Sequence, residues 1–150
     1  MTASTKLDPI ATKVAANLTE AGIAFYPTER GRLRVPLPGG FGEFEIGALD
    51  GVDSICALVG DPWHTHGYFG PGSSLDRRSL GRQCARLFNF VCEVFDGRCL
   101  LIEEHAPGEA PRRIITPDFK SFLKHLPEGA TYKVYNATQE ELDGRRGPRA

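Results

Sequence analysis

Residues 31–48 read GRLRVPLPGGFGEFEIGA and contain two runs in which apolar and charged side chains alternate. Leu33 and Val35 alternate with arginines in the first run, and Phe44 and Ile46 alternate with glutamates in the second. Successive side chains of a strand point to opposite faces, so this pattern predicts two strands, each with one buried and one solvated face. The Pro-Gly-Gly turn between them is short enough for a hairpin, and we expect the two strands to pair antiparallel.

Similar extended segments precede and follow this pair. The segment that follows, residues 53–60, is apolar on both faces, which predicts a central position in the sheet. Short turns separate all of these segments, so an antiparallel meander is the most economical topology. The predicted strands cover about residues 23–27, 31–37, 42–48 and 53–60.

The chain before these strands is predicted to form a helix that begins after Asp8 and ends before Gly22. Asp8 can accept hydrogen bonds from free backbone N–H groups, Pro9 suits the first helical position, and Gly22 can adopt the left-handed conformation that ends a helix. Apolar residues recur at three- and four-residue spacing, so we expect one face of this helix to pack against the sheet. These residues are Ile10, Ala11, Val14, Ala15, Leu18 and Ala21.

A second, longer helix is predicted from Ser73 or Ser74 to Gly97. Its apolar stripe is bulkier than that of the first helix, which indicates a central place in the core. The stripe consists of Leu80, Cys84, Leu87, Phe88, Val91, Cys92 and Phe95.

The rest of the chain predicts two strands, a short helix and a final strand. The two strands, at about residues 98–103 and 112–115, flank a loop with Pro and Gly. The short helix begins at Thr116 and Pro117, and the final strand covers about residues 131–135.

The order of these elements favours the α+β class, because strands and helices do not alternate strictly as they do in a doubly wound sheet. We expect a single α+β domain over residues 7–136. In it, a mostly antiparallel sheet of about six or seven strands is packed by two longer helices and one short helix. Residues 1–6 and 137–150 offer little to bury and are expected to be flexible termini.

The overall composition gives no reason to expect nucleic acid or an anionic membrane as a partner, which would each need a local charged patch. Of the 150 residues, 41% are hydrophobic, and 19 acidic side chains nearly balance 18 basic ones, so no net field would attract nucleic acid or an anionic membrane. Neither an export signal nor a membrane span is predicted, and we expect a soluble, cytoplasmic protein. Cysteines in a reducing compartment stay unpaired and pack as small hydrophobes. The cysteines expected to be free thiols are Cys56, Cys84, Cys92 and Cys99.

Residues 61–74 form the longest predicted loop and contain the motif Trp63-His64-Thr65-His66. If the motif is extended, both histidines point to the same side, and a pair of neutral imidazoles is a common set of metal ligands. With Zn²⁺ bound and one coordination position open, a carboxylate could act as general base in hydrolysis. The candidates for a third ligand are Asp61, Glu103, Glu104 and His105.

The same loop has a second interpretation, in which Trp63 anchors the turn by burying its ring. His64 and His66 would then be solvated or hydrogen-bonded to the backbone, and no cofactor would be bound. Tyr68 and Phe69 either join Trp63 in an exposed recognition patch or close the end of the core.

Three arginines recur at every fourth position of the second helix and form a basic line opposite its apolar stripe. Arg78 and Arg82 are candidates for contacts with an acidic protein surface, together with Arg86. The alternative is a solvated face balanced by nearby carboxylates.

The Trp63–His66 motif, preceded by an apolar strand and followed by a long helix, resembles small bacterial domains of unknown function, among them immunity-type proteins of polymorphic toxin systems. This resemblance covers about residues 53–96 and implies a compact α+β protein that acts by binding a partner. Our first hypothesis is therefore a non-catalytic binding domain that uses the 61–74 loop. The rival is a metal-dependent hydrolase that uses His64 and His66 with a carboxylate or His105. Edge strands of the meander also leave a homodimer open.

Overall fold

The computed structural model describes residues 6–49, 53–67 and 77–145 and, within the last range, the side chains from Leu80 onward. The helices are α1 (Pro9–Ala21), α2 (Arg77–Phe95), α3 (Phe119–Lys124) and α4 (Gln139–Arg145). The strands are β1 (Tyr26–Pro27), β2 (Leu33–Pro36), β3 (Glu43–Ala48), β4 (Ser54–Leu58), β5 (His64–His66), β6 (Leu100–His105), β7 (Arg112–Thr116) and β8 (Thr131–Val134). No helix in these ranges is long and apolar enough to cross a membrane.

The α+β class is confirmed, because helices accompany strands that all pair antiparallel within the described ranges. The chain divides into two compact units, the first ending at Leu37 and resuming over Gly42–Val91, the second made of Pro38–Phe41 and the chain from Cys92. Instead of one sheet of about six or seven strands, the described residues form a five-stranded and a three-stranded sheet. Alternation within a strand reveals its buried face but not its neighbours, so the sequence did not indicate the second sheet.

The predicted meander is confirmed in the first sheet, whose strand order is β1-β2-β3-β4-β5. Leu33 lies opposite Ile46 and Val35 lies opposite Phe44, and all four side chains are fully buried. Strand β4 lies between β3 and β5, as its apolar sequence predicted. The alternation in residues 31–48 therefore sets the register by which this sheet covers its core.

Helix α1 begins and ends where its sequence predicted. Asp8 Oδ1 accepts a hydrogen bond from the Ala11 amide at 2.7 Å, Pro9 occupies the first turn, and Gly22 has φ 73°. The second carboxylate oxygen of Asp8 accepts from the Ala48 amide at 2.9 Å. One side chain thus caps the helix and ties it to the end of β3.

Helix α2 ends at Phe95, close to the predicted end, and the predicted start at Ser73 or Ser74 lies outside the described residues. Cys84, Leu87 and Val91 are buried as predicted. The others in the predicted stripe, Leu80, Phe88, Cys92 and Phe95, are half-buried, while Gln83 and Val94 are buried in addition.

A buried polar cluster joins β4, the residue after β5, and α2. The Ser54 hydroxyl donates to Gln83 Oε1 at 2.6 Å, and the Gly67 amide donates to the Ser54 hydroxyl oxygen at 3.2 Å. Ser54 and Gln83 are 0% and 1% exposed, so a lost partner here would leave a polar group in the core without compensation. Gly67 lies so close to α2 that a β-carbon would stand 2.8 Å from the Gln83 carbonyl oxygen.

The second unit has its own three-stranded sheet, with β6 between β7 and β8. Helix α3 begins with Asp118, whose side chain accepts from the Ser121 amide at 2.9 Å. The apolar residues of this unit form one core cluster. Its buried members are Leu100, Ile102, Phe119, Phe122 and Leu142.

Helix α4 corrects the expectation that residues 137–150 form a flexible terminus. Thr138 and Glu141 exchange capping hydrogen bonds, with the Glu141 amide donating to the Thr138 hydroxyl at 3.2 Å. Leu142 is 4% exposed in the core of the second unit, which explains why so polar a segment is helical. Residues 146–150 and, at the other terminus, 1–5 lie outside the described residues.

We predict that Gly67→Ala lowers the free energy of unfolding by about 1–3 kcal/mol, because the new methyl group would collide with the backbone of α2 at Gln83. Urea denaturation followed by circular dichroism measures the change. Gly81→Ala is the matched control: a β-carbon there meets nothing within 4 Å, and alanine favours a helix interior by up to about 1 kcal/mol. Equal stability of the two variants would contradict this account of Gly67.

Candidate functional site

Trp63 fixes the start of the candidate site. Its ring stacks on Phe44, with centroids 5.5 Å apart and planes 20° apart, and on Phe90, at 5.5 Å and 21°. Its amide donates to Asp61 Oδ1 at 3.0 Å, and its carbonyl oxygen accepts from the Leu58 amide at 3.1 Å. Phe44 and Phe90 also contact each other, with centroids 5.6 Å apart. These contacts agree with Trp63 as an anchor that packs its ring against both the sheet and α2.

Strand β5 follows directly and places both histidines on the outer face of the first sheet. His64 lies opposite Ala57 and His66 lies opposite Ile55, while Thr65 between them faces the buried side opposite Cys56. The two imidazole rings are 5.1 Å apart between centroids and nearly perpendicular, at 89°. The prediction that an extended motif points both rings to one side is confirmed.

Hydrogen bonds to the backbone determine which ring nitrogens can bind a ligand. His64 Nδ1 lies 3.0 Å from the Pro62 carbonyl oxygen, and His66 Nδ1 lies 3.1 Å from the Ser54 carbonyl oxygen. A carbonyl oxygen only accepts, so Nδ1 is the donor in both contacts, and in the neutral form of each ring the lone pair is on Nε2. Asp53 Oδ2, 2.9 Å from His66 Nδ1, strengthens the same arrangement.

The backbone N–H and C=O groups of β5 also point in defined directions. The Leu58 amide bonds to the Trp63 carbonyl, so in the alternating antiparallel pattern Thr65 is the next residue whose N–H and C=O face β4. The N–H and C=O groups of His64 and His66 therefore face away from β4. Within the described residues β5 pairs with β4 alone and forms one edge of the sheet.

The candidates for a third ligand in β6 form pairs with side chains of their own unit. His105 Nε2 lies 2.6 Å from Glu103 Oε1, and Glu104 Oε2 lies 3.3 Å from Arg112 Nε, all in the second unit. No three His, Cys, Asp or Glu side chains in the described ranges are grouped so that they could hold a metal ion. Of the predicted set, His64 and His66 lie side by side in the first unit, and His105 belongs to the second.

The other predicted binding residues are only partly covered by the structure. Tyr68, Phe69 and the side chain of Arg78 lie outside the described residues. Arg82 is exposed on α2, as predicted.

A network of charged side chains, which was not predicted from the sequence, lies on the same outer face as the histidines. Arg34 Nε lies 3.1 Å from Glu45 Oε1, and Arg32 Nη1 lies 3.3 Å from Glu45 Oε2. The Tyr26 hydroxyl donates to Glu43, and this hydrogen bond raises the pKa of the phenol. The alternation of arginines in β2 with glutamates in β3 could have revealed these pairs, since like-placed residues face each other across an antiparallel pair.

The cysteines are not equipped as nucleophiles. Cys56, Cys84 and Cys99 are buried and Cys92 is half-buried, and all four are free thiols as predicted. Burial raises the pKa of Cys84 and of Cys99 to about 11 and raises that of Cys56 further. A thiol whose pKa is raised has little of the reactive thiolate form near neutral pH.

Comparisons of this chain with protein-family models, with curated proteins and with solved structures find no match. The functional argument therefore depends on the geometry of β5 and its surroundings.

We predict that Trp63→Ala lowers the free energy of unfolding by on the order of 3 kcal/mol, because it removes the ring that packs against both Phe44 and Phe90. Urea denaturation followed by circular dichroism is the measurement, since the chain has a single tryptophan and the variant has none. Tyr26→Ala, at a side chain that is 43% exposed, serves as the comparison and is expected to cost less than about 1 kcal/mol. Similar losses in the two variants would refute the role of Trp63 as an anchor.

We also predict that one thiol, Cys92, reacts first with an aromatic disulfide reagent at pH 8, and that all four react in urea. Cys92 is the half-buried thiol, and its pKa is raised mainly by desolvation, so even this reaction should be slower than that of free cysteine. Cys92→Ser should remove the first phase and leave the slower ones. A first phase that survives this substitution would contradict the assignment.

Proposed function

We propose that this protein is a non-catalytic binding domain that recognises another protein through β5 and the adjoining outer face of the first sheet. The observation that carries the proposal is the pair of histidines held side by side on an edge strand. Their rings are oriented by the backbone carbonyls of Pro62 and Ser54, and Trp63 fixes the start of the strand.

Preorganisation supports a binding role for this edge. Side chains that are already held in one geometry lose little conformational entropy when a partner docks, and this raises affinity. The outward N–H and C=O groups of His64 and His66 can bond to an added strand, while the half-buried Ile55 and Ala57 beside the rings offer apolar contact. Tyr26 and Arg34, on the same face, belong to residue types that are enriched in protein interfaces.

The resemblance to immunity-type proteins suggests a bacterial toxin domain as the kind of partner. A metal-dependent hydrolase finds less support, because a catalytic zinc site uses three protein ligands and the described residues bring two histidines together. The binding interpretation needs no further group.

We predict that replacing both His64 and His66 by alanine lowers the retention of a specific partner at least tenfold, which corresponds to the loss of about 1.4 kcal/mol of binding free energy. The measurement is quantitative mass spectrometry of bacterial proteins retained by the immobilised chain, in buffer containing EDTA. His125→Ala is the control: His125 is also exposed and also has Nδ1 bonded to a backbone carbonyl, that of Ser121 at 2.8 Å, but it lies in the second unit. The proposal would be refuted if the original chain, the His64/His66 double variant and the His125→Ala variant retained the same proteins in the same amounts.

A further inference from the structure

The histidine pair of β5 has the separation that a single tetrahedral metal ion requires of two imidazoles. A zinc–nitrogen bond of about 2.1 Å puts each ring centre about 3.2 Å from the ion, and at the tetrahedral angle two such centres are about 5.2 Å apart. The His64 and His66 centroids are 5.1 Å apart. The spacing of the two ring centres therefore matches that of two imidazoles bound to one zinc ion.

The protonation pattern of the pair is also that of metal ligands. A ligating histidine normally donates its other ring N–H to a carbonyl or carboxylate, which fixes the tautomer and orients the ring. His64 Nδ1 has the Pro62 carbonyl as its acceptor, and His66 Nδ1 has the Ser54 carbonyl and Asp53. Both Nε2 atoms are therefore prepared as ligands before any metal arrives.

Two ligands do not complete a zinc site, which takes four. The described residues of this chain provide no third ligand beside the pair. The position of the pair on an edge strand indicates how further ligands can be supplied, because the outward N–H and C=O groups of His64 and His66 can pair with another strand.

A second copy of the same strand satisfies this requirement by symmetry. When two copies of β5 pair antiparallel about a two-fold axis at Thr65, His64 of each copy lies opposite His66 of the other. Side chains directly opposite each other in an antiparallel pair lie on one face with β-carbons about 5 Å apart. Four imidazoles then share one face around the axis, which is an isologous contact.

We propose that His64 and His66 form half of a Zn²⁺ site, and that a second copy of this chain, paired through β5, supplies the other half. The inference rests on the proposed role of β5 as a binding edge and adds a metal and a partner to it. A zinc-bridged dimer covers the edge, so it and the complex with another protein exclude each other.

The test uses the full chain without a histidine tag, freed of metal with EDTA and then dialysed. Sedimentation velocity during titration with ZnCl₂ should show the mass of the monomer double, and elemental analysis of the dimer should give one zinc for every two chains. Co²⁺ in place of Zn²⁺ should give the visible absorption of a tetrahedral nitrogen site. EDTA should restore the monomer.

His64→Gln and His66→Gln, singly and together, should abolish the dimer at the same zinc concentration, and His125→Ala should leave it unchanged. Circular dichroism of each variant checks that the exposed substitutions leave the fold intact. Three results would overturn the proposal: no change of mass with zinc, one zinc bound per monomer, or a zinc dimer that persists in the double variant.

The two proposals fail separately. Retention of partner proteins is measured in EDTA and therefore does not depend on zinc. If no zinc dimer forms, the result of the retention measurement is unaffected. Conversely, a zinc dimer can depend on both histidines while the His64/His66 variant retains partner proteins unchanged. That combination contradicts the binding function and leaves the zinc site supported.

Discussion

The packing of Trp63 against both Phe44 and Phe90, in a cluster where each ring contacts the other two, is the contact on which the rest of the candidate site depends. Strand β5 has only three residues, too few to hold a fixed position by ladder hydrogen bonds alone. The stacked rings hold the start of the strand, and the hydrogen bonds of Gly67 and Ser54 hold its end. Between these two points the strand is extended, and extension puts the two imidazoles on one face.

The side chains on the outer face of the first sheet are bonded in different ways at its two ends. At β2 and β3 the charged groups satisfy one another, with Arg32 and Arg34 both bonded to Glu45. At β5 the hydrogen bonds that the described residues make to each imidazole go to Nδ1. The backbone carbonyls thus select Nε2 of each neutral ring as the nitrogen that can bind a ligand.

Local signals predicted much of this fold. The capping residues Asp8, Pro9 and Gly22 predicted both ends of α1, and the alternation of side chains predicted the meander and the common face of the histidines.

Strand β5 was interpreted as loop, because three residues are too few to show a period. The strand exists through its pairing with β4 and the packing of Trp63. Gln83 likewise lies outside the predicted apolar stripe of α2, since a glutamine on a helix becomes a core residue only when a distant hydroxyl, here that of Ser54, reaches it. Helix α4 has one buried side chain, Leu142, and a single apolar residue forms no periodic pattern from which a helix could be predicted.

The opposite edge of the first sheet has a different chemistry, with a consequence for assembly. Strand β1 has two residues, and the second is Pro27, which has no N–H to offer to an incoming strand. Growth of the sheet by strand addition is therefore blocked on that side and open on the β5 side. Two β5 edges that pair with each other leave no free β5 edge, so association through this sheet stops at two chains.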